Sequence, residues 1–178
     1  REKVLGGKVV PGSRPKIKFD FKNYLDYLIR EVRLAEEKGG IILQTGVEAD
    51  TQWLKEQNFD AIVYNIGTTS VVPRIPGVDQ VDWVQVTDRL CEPEKLGDAR
   101  RTVVIGGGVV GCETAYWLKY EKGCDVTVVE MLPYIMSGAC TANRYHLIHY
   151  MEKAGVKLLN CAKVTGFTKD SVQIEKNI

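Results

Sequence analysis

The segment that most limits what this chain can become is Thr102-Val103-Val104-Ile105-Gly106-Gly107-Gly108-Val109-Val110-Gly111. A short β-prone run enters three glycines spaced G-x-G-x-x-G, at Gly106, Gly108 and Gly111. The run reads as a buried strand over 102–105, and the residues after it read as a helix over 109–122 that Gly123 ends. Asp125-Val126-Thr127-Val128-Val129 reads as a second strand, closing on Glu130, 22 residues after Gly108. Strand, glycine turn, helix and strand in this order give a parallel pair joined by a crossover helix.

Each part of that pattern has a physical task. Gly106 permits the tight turn, Gly108 lets a pyrophosphate approach the backbone, and Gly111 lets the helix sit against the strand. With Gly107, Val109 and Val110 they put unpaired amides at the positive end of the helix dipole, where two phosphates are stabilised. Glu130 can accept hydrogen bonds from the hydroxyls of an adenosine ribose and would repel a 2′-phosphate. Met131 and Leu132 beside it offer no cation to hold one. The pattern therefore reads as a site for NAD(H) rather than NADP(H). A bare glycine match would be weak, and its strand–helix–strand context carries the reading.

The rest of the chain repeats the alternation. Residues 1–18 carry Gly6-Gly7, Pro11-Gly12 and Pro15, which is loop chemistry. Asp20 is placed to cap a helix whose apolar positions are Phe21, Leu25, Leu28, Val32 and Ala35, stopped by Gly39-Gly40. A buried strand is expected at Ile41-Ile42-Leu43, a helical turn over 51–56, and another strand from Asp60 to Ile66. Residues 78–101 read as a connector, apolar at 81–86 and charged over 91–101 with Pro93 and Gly97. A helix over 141–154, a strand over 156–159 and an alternating meander over 163–174 complete the reading. The expected fold is α/β, a Rossmann-like three-layer dinucleotide-binding fold over 102–178 beside a first domain over 1–77.

Length and charge exclude several classes. With 178 residues the chain forms one large domain or two small ones. Lys plus Arg number 24 and Asp plus Glu 23, so a net charge of +1 gives no reason to expect nucleic acid or an anionic membrane as partner. No apolar run is long enough for a membrane span, and no signal peptide is written. Cys91, Cys112, Cys124, Cys140 and Cys161 include no C-x-x-C, so neither a zinc ribbon, a redox pair nor an iron–sulfur cluster is encoded. Reduced thiols filling a core, in a cytoplasmic protein, are the expectation.

Other residues weigh less. His146 and His149 lie three apart on a helix without a third ligand, so no metal is expected. Trp53, Trp83 and Trp117 read as packing, and the charges of 30–38 as a solvated helix face. Cys112 stands in the first turn after the glycines, where a helix dipole lowers a thiol pKa. Glu113 in that turn either faces the cofactor or only stands in the helix dipole field. No side chain reads as a catalytic acid, base or nucleophile.

The flanks add a family pattern. Ile105-Gly106-Gly107-Gly108-Val109-Val110-Gly111-Cys112-Glu113-Thr114-Ala115 resembles the nicotinamide-binding segment of flavin reductases with two dinucleotide domains. Val129-Glu130-Met131-Leu132-Pro133 and Met151-Glu152-Lys153-Ala154-Gly155-Val156 resemble, more narrowly, the C-terminal half of the NADH:flavin oxidoreductases that include 2-enoate and 2,4-dienoyl-CoA reductases. Leu5-Gly6-Gly7-Lys8 and the segment from Phe59 to Gly67 are similar to parts of that family's flavin domain. The resemblance implies FAD contacts at Val47, Gly67 and Thr68, although Asn65-Ile66-Gly67 departs from the family's A-T-G. It also implies a nicotinamide-facing role for Glu113.

By this resemblance the parent enzyme passes a hydride from NADH to FAD. Electrons then cross a 4Fe-4S cluster to FMN, which reduces an activated carbon–carbon double bond in an unsaturated acid or enoyl-CoA. The FAD glycine fingerprint, the FMN barrel and the cluster cysteines are absent from these 178 residues. The chain is therefore expected to be a catalytically silent piece whose partner is the remainder of its own polypeptide, with homo-oligomerisation left open. Two alternatives stand beside this: an NAD(H)-sensing module that performs no chemistry, and a disulfide reductase of the same superfamily, against which the missing C-x-x-C argues.

Overall fold

The computed structural model describes residues 2–91 and 100–176, and the chain divides into two compact units, Arg1–Ser70 and Val71–Ile178. Residues 92–99 of the expected connector, with Pro93 and Gly97, lie outside the described residues.

The first unit is built from helices. A short helix α1 (Val9–Gly12) and a 3-10 turn (Lys16–Lys18) lead into α2 (Phe19–Glu37), followed by α3 (Thr51–Glu56). Asp20 does not cap α2. The 3-10 turn runs straight into the helix, which puts Lys18 at the cap and Asp20 inside the first turn, where its charge still favours the dipole. Beyond Lys38, the N–H of Gly39 reaches the carbonyl of Glu36 and that of Gly40 reaches Ala35, closing the helix as expected. Asp50 caps α3 by accepting the N–H of Trp53 at 2.8 Å.

The two strands expected in this unit are not formed. Ile41-Ile42-Leu43 and the segment from Asp60 to Ile66 form no strand among the described residues, and Val63 and Ile66 are 93% and 90% exposed. Their composition suits a strand, but a strand exists only when a neighbour takes its N–H and C=O groups. Along α2, Leu25 is buried while Phe21 and Leu28 are exposed, so its apolar stripe is mostly uncovered within this unit.

The second unit carries the sheet. After a 3-10 turn (Val78–Gln80) and α4 (Val86–Cys91) come β1 (Arg101–Ile105), α5 (Val109–Tyr120), β2 (Asp125–Val129), α6 (Thr141–Ala154) and β3 (Lys157–Leu159). The strands are parallel in the order β1-β2-β3. An antiparallel hairpin of β4 (Ala162–Thr168) and β5 (Ser171–Lys176) follows.

Alternation along the strands sorts the layers. Val104, Val126 and Val128 pack with Cys112, Ala115 and Leu118 of α5 and Leu147 and Met151 of α6. Val129 and Leu159, whose side chains take the opposite side, pack with Ala162, Val164 and Phe167 of the hairpin. Helices, parallel sheet and hairpin make the three layers of the expected Rossmann-like α/β fold. The segment 71–80 packs here too: the Phe167 N–H donates to the Pro76 carbonyl at 2.9 Å, ahead of the domain boundary expected after Gly77.

Trp117 is buried in this core and Trp53 is half-buried, its ring 6.2 Å from that of Phe59. Trp83 corrects the packing expectation, being about half exposed in the irregular segment before α4. No helix among the described residues is long and apolar enough to cross a membrane.

Candidate functional site

Parallel register brings the two chemical segments together. Ile105 lies opposite Val129, so the residues that follow them, Gly106 and Glu130, leave the same edge of the sheet. The Gly106 N–H continues the ladder onto the Val129 carbonyl at 2.9 Å, and the Glu130 N–H onto that of Leu159 at 2.8 Å.

The glycines divide their work. Gly106 turns the chain at φ +101°, a conformation that side chains disfavour. A Cβ on Gly111 would run into the Gly106 carbonyl, so α5 rests directly on the turn. A Cβ on Gly107 would lie 2.8 Å from the Glu130 Cβ and 2.9 Å from Cδ1 of Ile135. Gly108, by contrast, is exposed, and a Cβ there would meet nothing within 4 Å. Gly108 is also the N-cap of α5 and supplies no side-chain cap, so the first amides of the helix are not met by a capping side chain. Val109 and Val110 are exposed in that first turn.

Glu130 is 9% exposed. Its Oε2 accepts the N–H of Gly107 at 2.7 Å and its Oε1 the N–H of Leu132, also at 2.7 Å. Sequence reading placed Glu130 at the right strand end but missed these two amide partners. It also missed the support from residues 135–136: Met136, buried with φ +55°, donates its N–H to the Gly107 carbonyl at 2.6 Å. The available signal was an apolar pair, Ile135-Met136, in the segment between β2 and α6.

Cys112 corrects an expectation. Its thiol donates to the Gly107 carbonyl at 3.3 Å, and its pKa is pushed up to about 12, first by burial and then by the charges of Glu130 and Glu113. Desolvation of the thiolate outweighs the helix dipole that would have lowered it. Cys112 and Cys124 are buried, as core filler should be, whereas Cys140 is exposed and Cys161 half-buried.

The remaining candidates are dispersed. Glu113 is half-buried in the first turn of α5, and Met131 is exposed beside Glu130. Val47, Gly67 and Thr68 are exposed on irregular segments of the first unit. His146 and His149 are exposed on α6, with the His146 ring edge-on to Tyr150 at 4.6 Å. Among the described residues no group of three or more His, Cys, Asp or Glu side chains could hold a metal ion.

A parallel sheet whose adjacent strand ends carry a glycine turn and a buried acidic residue defines a dinucleotide-binding α/β protein. The sequence profile of the pyridine nucleotide-disulphide oxidoreductases matches residues 7–177, and the chain belongs to that family, whose members bind NAD(H) and FAD. Bilirubin reductase of Mediterraneibacter gnavus is 35% identical over 175 residues, spanning 98% of this chain and 26% of its own. Cinnamate reductase of Clostridium sporogenes is 35% identical over 147 residues, spanning 81% of this chain and 21% of its own. Among solved structures, a 2-naphthoyl-CoA reductase in complex with 2-naphthoyl-CoA superposes with a TM-score of 0.83 at 25% identity, covering 98% of this chain and 26% of that one. The chain thus spans about a quarter of the length of these relatives.

Proposed function

We propose that this chain is the NADH-binding portion, with part of the FAD-binding portion, of an oxidoreductase that reduces an activated carbon–carbon double bond. The observation that carries the reading is the contrast between Gly108 and its neighbours. Gly107 and Gly111 are each confined by the chain itself and Gly106 is held in its turn at φ +101°, whereas the space over Gly108, at the start of α5, is open to a ligand. A pyrophosphate there would meet the amides of Val109 and Val110, with the helix dipole behind them. Glu130, its charge already held in place, has lone pairs left for a ribose and stands against a 2′-phosphate. When bound, NADH supplies the hydride that FAD accepts.

Toward FAD the reading assigns contacts at Val47, Gly67 and Thr68, all exposed, and from the family resemblance it gives half-buried Glu113 a nicotinamide-facing role. The reading assigns FMN and a 4Fe-4S cluster to the remainder of the polypeptide, which it takes as the chain's partner. An unsaturated acid or enoyl-CoA as substrate, as in the 2-enoate and 2,4-dienoyl-CoA reductases, is supported by the names of cinnamate reductase and 2-naphthoyl-CoA reductase. A cytoplasmic location belongs to the same reading.

The test is anaerobic mixing of the full-length flavoprotein with NADH. Its visible flavin absorbance should bleach, and Gly108→Val should abolish bleaching by NADH while leaving bleaching by dithionite intact. Equal NADH reduction in the variant would overturn the site. Binding of NADH without any flavin reduction in the native protein would favour a sensing module instead.

A further inference from the structure

We propose that Glu130 is a positioning residue for the glycine loop, holding Gly107 in the shape that admits a pyrophosphate, and not only a reader of ribose hydroxyls. This rests on the dinucleotide reading of the loop given above. A carboxylate serving only a ribose would have its oxygens turned to the ligand and to water. Glu130 is instead buried, and each oxygen already accepts a short amide hydrogen bond, from Gly107 and from Leu132. Hydrogen bonds from N–H to a buried carboxylate are about twice as strong as neutral ones.

Gly107 is fixed on every side. Its N–H is taken by Glu130 and its carbonyl by the Met136 N–H and the Cys112 thiol, and the Glu130 Cβ and Ile135 leave no room for a Cβ on it. The thiol stays protonated and can donate throughout the ordinary pH range. Three elements, the end of β2, the 132–136 segment and α5, thus converge on one glycine. The next residue, Gly108, faces open space. One glycine is clamped so that its neighbour presents a fixed concavity.

The test separates positioning from ribose reading by using a ligand that has no ribose. Inorganic pyrophosphate and NADH are titrated into the native chain, Glu130→Ala and Glu130→Gln, following the amide signals of Gly107 and Gly108, with far-UV dichroism to establish that each variant is folded. Glu130→Ala should weaken pyrophosphate binding roughly tenfold, the loss expected from one charge-assisted hydrogen bond that no longer orders the loop. Exchange of the Gly107 amide should accelerate in the same variant. Glu130→Gln keeps one acceptor oxygen and should lose less, and it carries the test if Glu130→Ala does not fold. Unchanged pyrophosphate affinity with weakened NADH affinity would overturn the proposal and leave Glu130 a ribose reader. If the native chain binds neither ligand, the dinucleotide reading itself fails, and this inference with it.

Discussion

The Cys112 thiol points at the Gly107 carbonyl, 3.3 Å away, and a pKa of about 12 makes it a hydrogen-bond donor rather than a nucleophile. Alkylation at roughly pH 8 should therefore label exposed Cys140 and leave Cys112 untouched in the folded protein, because the thiolate is the reacting form. Peptide mapping after a short iodoacetamide pulse checks this. Rapid modification of Cys112 would show that its site is open.

The same thiol sets a pH dependence. Its folded pKa is raised from the ordinary 9.0 to about 12, so between these values the folded state binds the proton that the unfolded state releases. Its contribution to stability is complete below pH 9 and falls as pH rises toward 12. Denaturant titrations across that window should show a decline that Cys112→Ala reduces.

Gly108 and Gly111 should respond oppositely to a single methyl group. Gly111→Ala forces a Cβ into the Gly106 carbonyl and should cost about 1–3 kcal/mol of stability, as overpacking does. Gly108→Ala meets open space and should stay within about 1 kcal/mol of the native protein, the scale of a cap substitution. Chemical denaturation of the two variants decides. Equal losses would mean that the turn and helix are not in contact.

Nucleotide preference follows from Glu130 together with the neutral Met131 and Leu132. NADH should bind at least roughly tenfold more tightly than NADPH, a difference of about 1.4 kcal/mol. Calorimetry on the full-length flavoprotein with both nucleotides measures it. A native preference for NADPH would locate the ribose elsewhere.

The 178-residue chain contains one glycine fingerprint, Gly106 to Gly111, and should hold one dinucleotide rather than two. Assigned to NADH, that site leaves FAD only the exposed backbone around Val47, Gly67 and Thr68, without a phosphate cradle. The chain purified by itself should be colourless. Stoichiometric flavin absorbance would reassign the fingerprint to FAD.

What the sequence made legible and what it hid have physical causes. The bounds of β2 and α6 follow from local signals, alternation in Asp125–Val129 and the glycine after Ala154, and both are found where expected. Ile41-Ile42-Leu43 and Asp60 to Ile66 failed as strands because pairing is a property of two segments, and composition describes one. Glu130 was recognisable by its spacing, yet its bond to Gly107 joins residues 23 apart and arises only from the β1–β2 register. The Cys112 pKa was misjudged because a dipole can be read from a helix start, whereas burial depends on how the second unit packs around it.

Fixing Gly107 on both of its polar groups has an entropic consequence for binding. A glycine is the most freely jointed residue a backbone can have, and ordering one costs about 1–2 kcal/mol. Here that ordering is complete when the domain folds, through bonds to Glu130, Met136 and Cys112 that exist before any ligand arrives. An incoming nucleotide would meet a preorganised surface and keep that free energy as affinity rather than spending it on arranging the loop.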